Sequence, residues 1–208
     1  MKKNFTINNF AIASIVALFL SGCAASTKVT ISSDKYAPAF RSGDVSRLKG
    51  KKLILSPFLN QAQNTKGWNY YSADKKYMYE GNAQLETYYW NCFHRAFKYS
   101  GVNLVDYSYA DYRGPHPYWW GGPPTQAKPP QAKGVLEFQL ILTSLTDQEF
   151  KFKAFLFKDG LTKFEKEFTV TMAAAQSENA ADLEKRAYRL VDLAFTTIIK
   201  DRDFQKAF

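Results

Sequence analysis

LEFQLILTSLTDQEFKFKAFLFKDGLTKFEKEF, residues 136–168, decides the fold class of this chain. Its opening alternates. Leu136, Phe138, Leu140 and Leu142 share one face while Glu137, Gln139 and Thr143 share the other, which predicts a strand with one buried and one wet side. Further on, Lys158-Asp159-Gly160 suits a three-residue hairpin loop with glycine in the left-handed position. That turn sets Phe157 opposite Leu161, Lys153 opposite Glu165 and Lys151 opposite Glu167, so opposite charges meet on the solvent face. The buried face then carries Phe150, Phe152, Ala154 and Leu156 against Phe164 and Phe168, with Lys166 as a misfit. The segment reads as an antiparallel meander.

Upstream, the apolar run Leu53-Ile54-Leu55 is followed by Ser56-Pro57-Phe58, which predicts a short buried strand ended by proline. Residues 61–82 are polar and rich in aromatic rings, among them Trp68, Tyr70, Tyr71, Tyr77 and Tyr79, and are too long for a simple loop. From Ala83 to Ser100, Leu85, Tyr88, Tyr89, Cys92, Phe93, Ala96 and Phe97 recur at spacings of three and four, the stripe of a helix facing a core, and Gly101 stops it. Val102 to Tyr107 reads as a strand, so the order strand, helix, strand suggests a parallel pair with a right-handed crossover. A final helix runs from Asn179, its cap, to Lys200, with Leu183, Ala187, Leu190, Val191, Ala194 and Ile198 buried. The expected fold is α/β of the α+β kind, a mixed sheet of about five strands with two helices on one face.

The amino terminus speaks to location. Lys2 and Lys3 precede an apolar stretch, Phe10 to Leu20, too short for a membrane span, and the pattern is that of a secretory leader. Leu20-Ser21-Gly22-Cys23 resembles the bacterial lipobox, in which the cysteine is joined to diacylglycerol before cleavage. The expectation is a signal peptide over residues 1–22, a lipidated tether over 23–50 that holds a short strand at Lys28 to Ile31, and one periplasmic domain over 51–208. Ala24 is not the aspartate associated with inner-membrane retention, so the outer membrane is expected, with the domain facing the periplasm. The formal net charge is +9, of which Lys2 and Lys3 supply two. Outside the cytoplasm such a charge points away from nucleic acid, and two readings stand: a partner such as anionic lipid or cell-wall polymer, or a solvated lysine-rich surface that favours solubility. With Cys23 lipidated, Cys92 has no disulfide partner within the chain.

Catalytic motifs are scarce. Only His94 and His116 are available as bases near neutral pH. Cys92 lies two residues before His94, but on a helix residues two apart point away from each other, so a thiol nucleophile does not follow. The sequence lacks paired-cysteine and His-Glu-x-x-His metal motifs, a Gly-x-Ser-x-Gly elbow, a phosphate loop and a dinucleotide fingerprint. Glu137 and Asp147 bracket a strand and its turn, where carboxylates ordinarily belong to a solvated face. No catalytic residue, metal or cofactor is therefore expected.

What remains is an aromatic surface on two insertions, residues 61–82 and 113–134. The second holds GPHPYWWGGPP, residues 114–124, which suits neither a helix nor a central strand. Trp119, Trp120, Tyr118 and Trp68 are the candidate partner-binding residues, and two roles compete for such rings: capping the fold or stacking on a protein, lipid or glycan.

The order of elements is similar to the small α/β domain of several bacterial envelope proteins, the amino-terminal domain of TolB, the curli-secretion lipoprotein CsgG and the LpoB activator of penicillin-binding proteins. The residues carrying the resemblance are Leu53-Ile54-Leu55-Ser56-Pro57-Phe58-Leu59-Asn60, the helix to Gly101, Val102-Asn103-Leu104-Val105-Asp106, Ala110-Asp111-Tyr112 and the strand from Gly134. In the relatives that strand follows the Ala-Asp-Tyr step almost at once; here a Pro/Gly-rich stretch intervenes. The resemblance implies a non-catalytic protein that docks onto another envelope component. The expected function is thus a membrane-anchored accessory or assembly factor, with a lipid- or glycan-binding carrier as the alternative.

Overall fold

The computed structural model describes residues 26–105 and 132–208. In chain order the elements are β1 (Thr27–Ile31), a 3-10 turn (Ser42–Leu48), β2 (Lys52–Leu55), β3 (Leu59–Asn60), β4 (Thr65–Lys66), β5 (Asn69–Tyr71) and β6 (Tyr77–Gly81). There follow α1 (Leu85–Tyr99), β7 (Asn103–Leu104), β8 (Leu136–Leu145), β9 (Glu149–Lys158), β10 (Leu161–Thr171), α2 (Ala180–Lys200) and α3 (Arg202–Ala207). The main sheet has the order β10-β9-β8-β2-β7, with β3 also on β8, and a second sheet has the order β1-β6-β5-β4. The fold is mixed α/β, as the pattern predicts.

β8 organises the main sheet. Along one edge it pairs antiparallel with β9, and along the other it pairs parallel first with β2 and then with β3. Pro57 interrupts that second edge because it has no N–H to give, and the Gln139 side-chain amide donates to the Pro57 carbonyl at 3.1 Å across the gap. The ladder resumes at Leu59, so proline divides the strand here rather than ending it. β2 and β7 are parallel neighbours, as the crossover predicts, and between them the chain makes four further strands as well as α1.

The β9–β10 turn differs from the expected register. Lys158 pairs with Leu161, leaving Asp159 (φ 50°) and Gly160 (φ 80°) as a two-residue turn of the I′ pattern. A second irregularity follows between Thr162 and Phe164, where Lys163 is the extra residue of a bulge. Beyond it Lys153 faces Glu167 and Lys151 faces Thr169. The two changes together move the register by an even number, which is why the faces survive: Phe150, Phe152, Ala154, Leu156, Phe164 and Phe168 are all buried. Lys166 sits on that face opposite Ala154, at the edge strand, and its ammonium reaches Asp201 Oδ2 at 2.6 Å.

α1 and α2 cover one face of this sheet. Phe138 of β8 is ringed by Phe93 and Phe97 of α1 and by Phe204 of α3, and Phe195 of α2 packs on both α1 rings. Burying each such ring contributes about 1.5–3 kcal/mol. The seven apolar residues predicted for α1 are its buried residues. The helix closes on Gly101 (φ 78°), with Gly101 N–H donating to the Lys98 carbonyl and Val102 N–H to the Phe97 carbonyl, a Schellman cap. α2 begins at the predicted cap, where the Asn179 side chain accepts from Ala181 N–H at 2.8 Å.

Two further expectations are corrected. The solvent side of β8 is dry at its start: Glu137 and Gln139 are each only 5% exposed. Ser56 Oγ donates to Glu137 at 3.4 Å, and Ile54, Ala132 and Val135 form a small apolar cluster of their own, apart from the main core. The expected tether is also part of the domain. β1 pairs parallel with β6, and Val29, Ile31, Tyr36, Val45 and Leu48 are buried in the main core. The strand lies where the sequence suggests it, but the polar composition conceals the docking, because few apolar residues suffice for a five-residue strand and a seven-residue 3-10 helix.

Candidate functional site

The 61–82 segment folds into the second sheet, and the alternation of a strand sorts its rings. Tyr70, Tyr77 and Tyr79 point inward, and Tyr70 stacks on its cross-strand partner Tyr79 at 4.9 Å with planes 3° apart. Trp68 lies outside the strands and is 50% exposed. It occupies the two-residue loop between β4 and β5, with Gly67 at φ 36° before it. The backbone there is fixed on two sides. The Trp68 carbonyl accepts from Gly81 N–H at 2.8 Å, and the Gly67 carbonyl accepts from Leu85 N–H at 2.8 Å, which satisfies one of the free donors at the start of α1. Gly81 leaves no room for a side chain, since a Cβ there would lie 2.8 Å from the Ala83 carbonyl oxygen. Trp68 is therefore a large exposed ring on a rigid mount, and its sheet, helix and turn contacts leave the indole free to meet another surface.

Cys23, Tyr118, Trp119, Trp120 and His116 lie outside the described residues. Trp90, on α1, is half-buried, donates from Nε1 to the Leu55 carbonyl at 3.4 Å and stacks on His94 at 5.2 Å. Cys92 is sealed in the core, and burial pushes its thiol well above the ordinary range, so it is a packing residue. Asp147, in the β8–β9 turn, is only 4% exposed and not on the solvated face expected: it accepts from Ala73 N–H at 2.9 Å in the second sheet's β5–β6 turn and lies 3.7 Å from Arg186 Nε of α2. Burial raises the Tyr70 and Tyr79 phenols above their usual range, so neither ionises near neutral pH. Among the described residues no three His, Cys, Asp or Glu side chains come together to hold a metal, and no helix is long and apolar enough to cross a membrane.

One feature escapes the sequence pattern. The outer face of α2 is a basic ridge with a groove on each side, of about 710 and 640 Å³, and Lys185, Arg189 and Leu193 border both. The first groove runs between α2 and residues 35–41. Its signal in the sequence is Lys185 and Arg189 four apart on the solvent face. The opposing cations, Lys35 and Arg41, lie in the stretch expected to be a tether.

No family model matches this chain, and no curated protein is similar to it in sequence. Among solved structures, protein XCC0632 from Xanthomonas campestris, assigned to the family DUF330, superposes with a TM-score of 0.45 at 11% identity, over 84% of this chain and 93% of that one. That likeness is too distant to argue from.

Proposed function

We propose that this protein is an envelope lipoprotein, anchored to the outer membrane through diacylglyceryl-Cys23 and facing the periplasm, that binds a protein partner as a non-catalytic accessory or assembly factor. The observation that carries the reading is Trp68. Holding half an indole in water on a backbone fixed by two main-chain bonds serves recognition, because a rigid aromatic anchor loses little entropy on binding and tryptophan is enriched among interface hot spots. Leu20-Ser21-Gly22-Cys23 supports the anchor, and Tyr118, Trp119 and Trp120 are proposed as further contacts. The filling of the space between sheet and helices by Phe93, Phe97, Phe138 and Phe195 favours an adaptor over a carrier that encloses its cargo. No cofactor is part of this proposal.

The test is crosslinking in membranes followed by purification, comparing wild type with Trp68→Ala and with a Trp119→Ala, Trp120→Ala double variant. The expected result is loss of a specific crosslinked protein in either variant while thermal stability changes little. An unchanged partner set in both would sink the adaptor reading. Cys23→Ser is expected to leave the membrane fraction, and continued anchoring would refute lipidation.

A further inference from the structure

The groove between α2 and residues 35–41 is built, and its floor and rim have different chemistry. Lys185, Arg189, Leu193, Thr196 and Lys200 follow one another at spacings of three and four, which places them along one face of α2. The facing segment is stitched to the helix at three points. Tyr188 Oη donates to the Ser32 carbonyl at 2.9 Å, Tyr36 Oη donates to Asp192 Oδ1 at 2.7 Å, and Ala39 N–H donates to Asp192 Oδ2 at 3.2 Å. These bonds hold the groove's two walls at fixed separation.

Five cations line it, Lys35, Arg41, Lys185, Arg189 and Lys200, against one carboxylate, Asp192. Both oxygens of Asp192 are engaged by the bonds just named, and Lys35 is drawn to Glu184 at 3.2 Å. Among the described residues, no carboxylate pairs with Arg41 or Arg189, and both are exposed at the groove's rim. Two unpaired guanidiniums converging on one space present planar donors to tetrahedral or carboxylate oxygens. The same space has apolar walls: Ala37, Leu193 and Phe40, whose ring stacks on Phe195 at 5.0 Å and meets Tyr99 edge-on at 5.4 Å. A bare inorganic anion gains nothing from those walls, whereas a phosphate joined to a glycerol or acyl moiety uses both parts.

We propose that this groove binds the phosphate headgroup of an anionic lipid, with Arg41 and Arg189 as the principal donors and Phe40 and Leu193 against the glycerol end. The site is separate from Trp68 and does not depend on the adaptor reading. The test uses the full chain in neutral detergent micelles, titrated by calorimetry with dioctanoyl phosphatidylglycerol, dioctanoyl phosphatidylcholine or inorganic phosphate. Wild type is expected to bind phosphatidylglycerol saturably and the other two roughly tenfold or more weakly. An Arg41→Gln, Arg189→Gln double variant loses at least about tenfold in affinity for phosphatidylglycerol, while Lys163→Gln, a surface cation on β10, leaves it unchanged. Because neither arginine carries a structural contact, thermal unfolding of the double variant should match wild type. Equal binding of the two lipids, phosphate binding as tightly as phosphatidylglycerol, full affinity in the double variant, or equal loss in Lys163→Gln would each overturn the proposal.

Discussion

Replacing Tyr36 by Phe removes one oxygen, and the structure gives that oxygen a definite value. The Tyr36 hydroxyl donates to Asp192 at 2.7 Å in a buried setting, and Asp192 is a carboxylate placed among the apolar residues of α2. A hydrogen bond to a charged group contributes about 1.5–3 kcal/mol, and a loss of about 2 kcal/mol lowers the melting temperature of a domain this size by roughly 4–8 °C. The penalty depends on pH. Burial raises the Asp192 carboxyl above its ordinary value, and the bonds from Tyr36 and Ala39 partly offset that rise. For such a group stability is fullest below the unfolded-state value and declines as pH rises through the folded one. Taking away the Tyr36 bond raises the folded value further and enlarges the decline. The deficit of Tyr36→Phe is therefore greatest near pH 7.5 and shrinks toward pH 4. Thermal unfolding followed by circular dichroism at both pH values reads it. A shift below about 1 °C at pH 7.5, or a deficit that grows toward pH 4, would refute the reasoning.

Gly81→Ala forces a Cβ against the Ala83 carbonyl at 2.8 Å, where backbone must move, and is expected to cost about 1–3 kcal/mol in urea unfolding. Asp201→Ala deprives α3 of its cap, since Asp201 Oδ1 accepts from the N–H groups of Asp203 and Phe204 at 3.0 Å each, and should cost about 1 kcal/mol. Burial acts to raise the Asp201 carboxyl, but Lys166 and the backbone donors outweigh it and hold it low. The advantage of wild type over this variant is thus present above the unfolded-state value and vanishes in acid. In a Cys23→Ser background, Cys92 should resist a thiol reagent in the native chain and react promptly in denaturant; rapid native labelling would contradict its burial.

Much of this fold is readable because its long elements have clear periods. The α1 and α2 stripes and the β8–β10 alternation each rest on several apolar residues in phase, and all three reappear as buried faces. The exact pairing of β9 with β10 was beyond the pattern, because a two-residue turn and a bulge at Lys163 shift the register while preserving the faces. The second sheet stayed hidden for a different reason: β1, β4 and β5 span two to five residues, β4 is paired only with β5, and β1 finds its partner β6 far along the chain. The same applies to the groove. Its cations come from residues 35–41 and 185–200, far apart in sequence, and tertiary bonds such as those of Tyr36 and Ala39 to Asp192 and of Tyr188 to Ser32 bring them together. Trp68 was legible as a candidate from its composition, but its exposure follows from its place in the two-residue loop of a short hairpin that no pattern announces.

The early start of β1 sets a distance. Thr27, its first residue, is four positions past Cys23, and four residues at full extension reach at most ~14 Å. For a chain acylated at Cys23, that is less than half the thickness of a bilayer's hydrocarbon core. Were the chain so anchored, the β1 end of the domain would lie close to the lipid surface, with little freedom to swing.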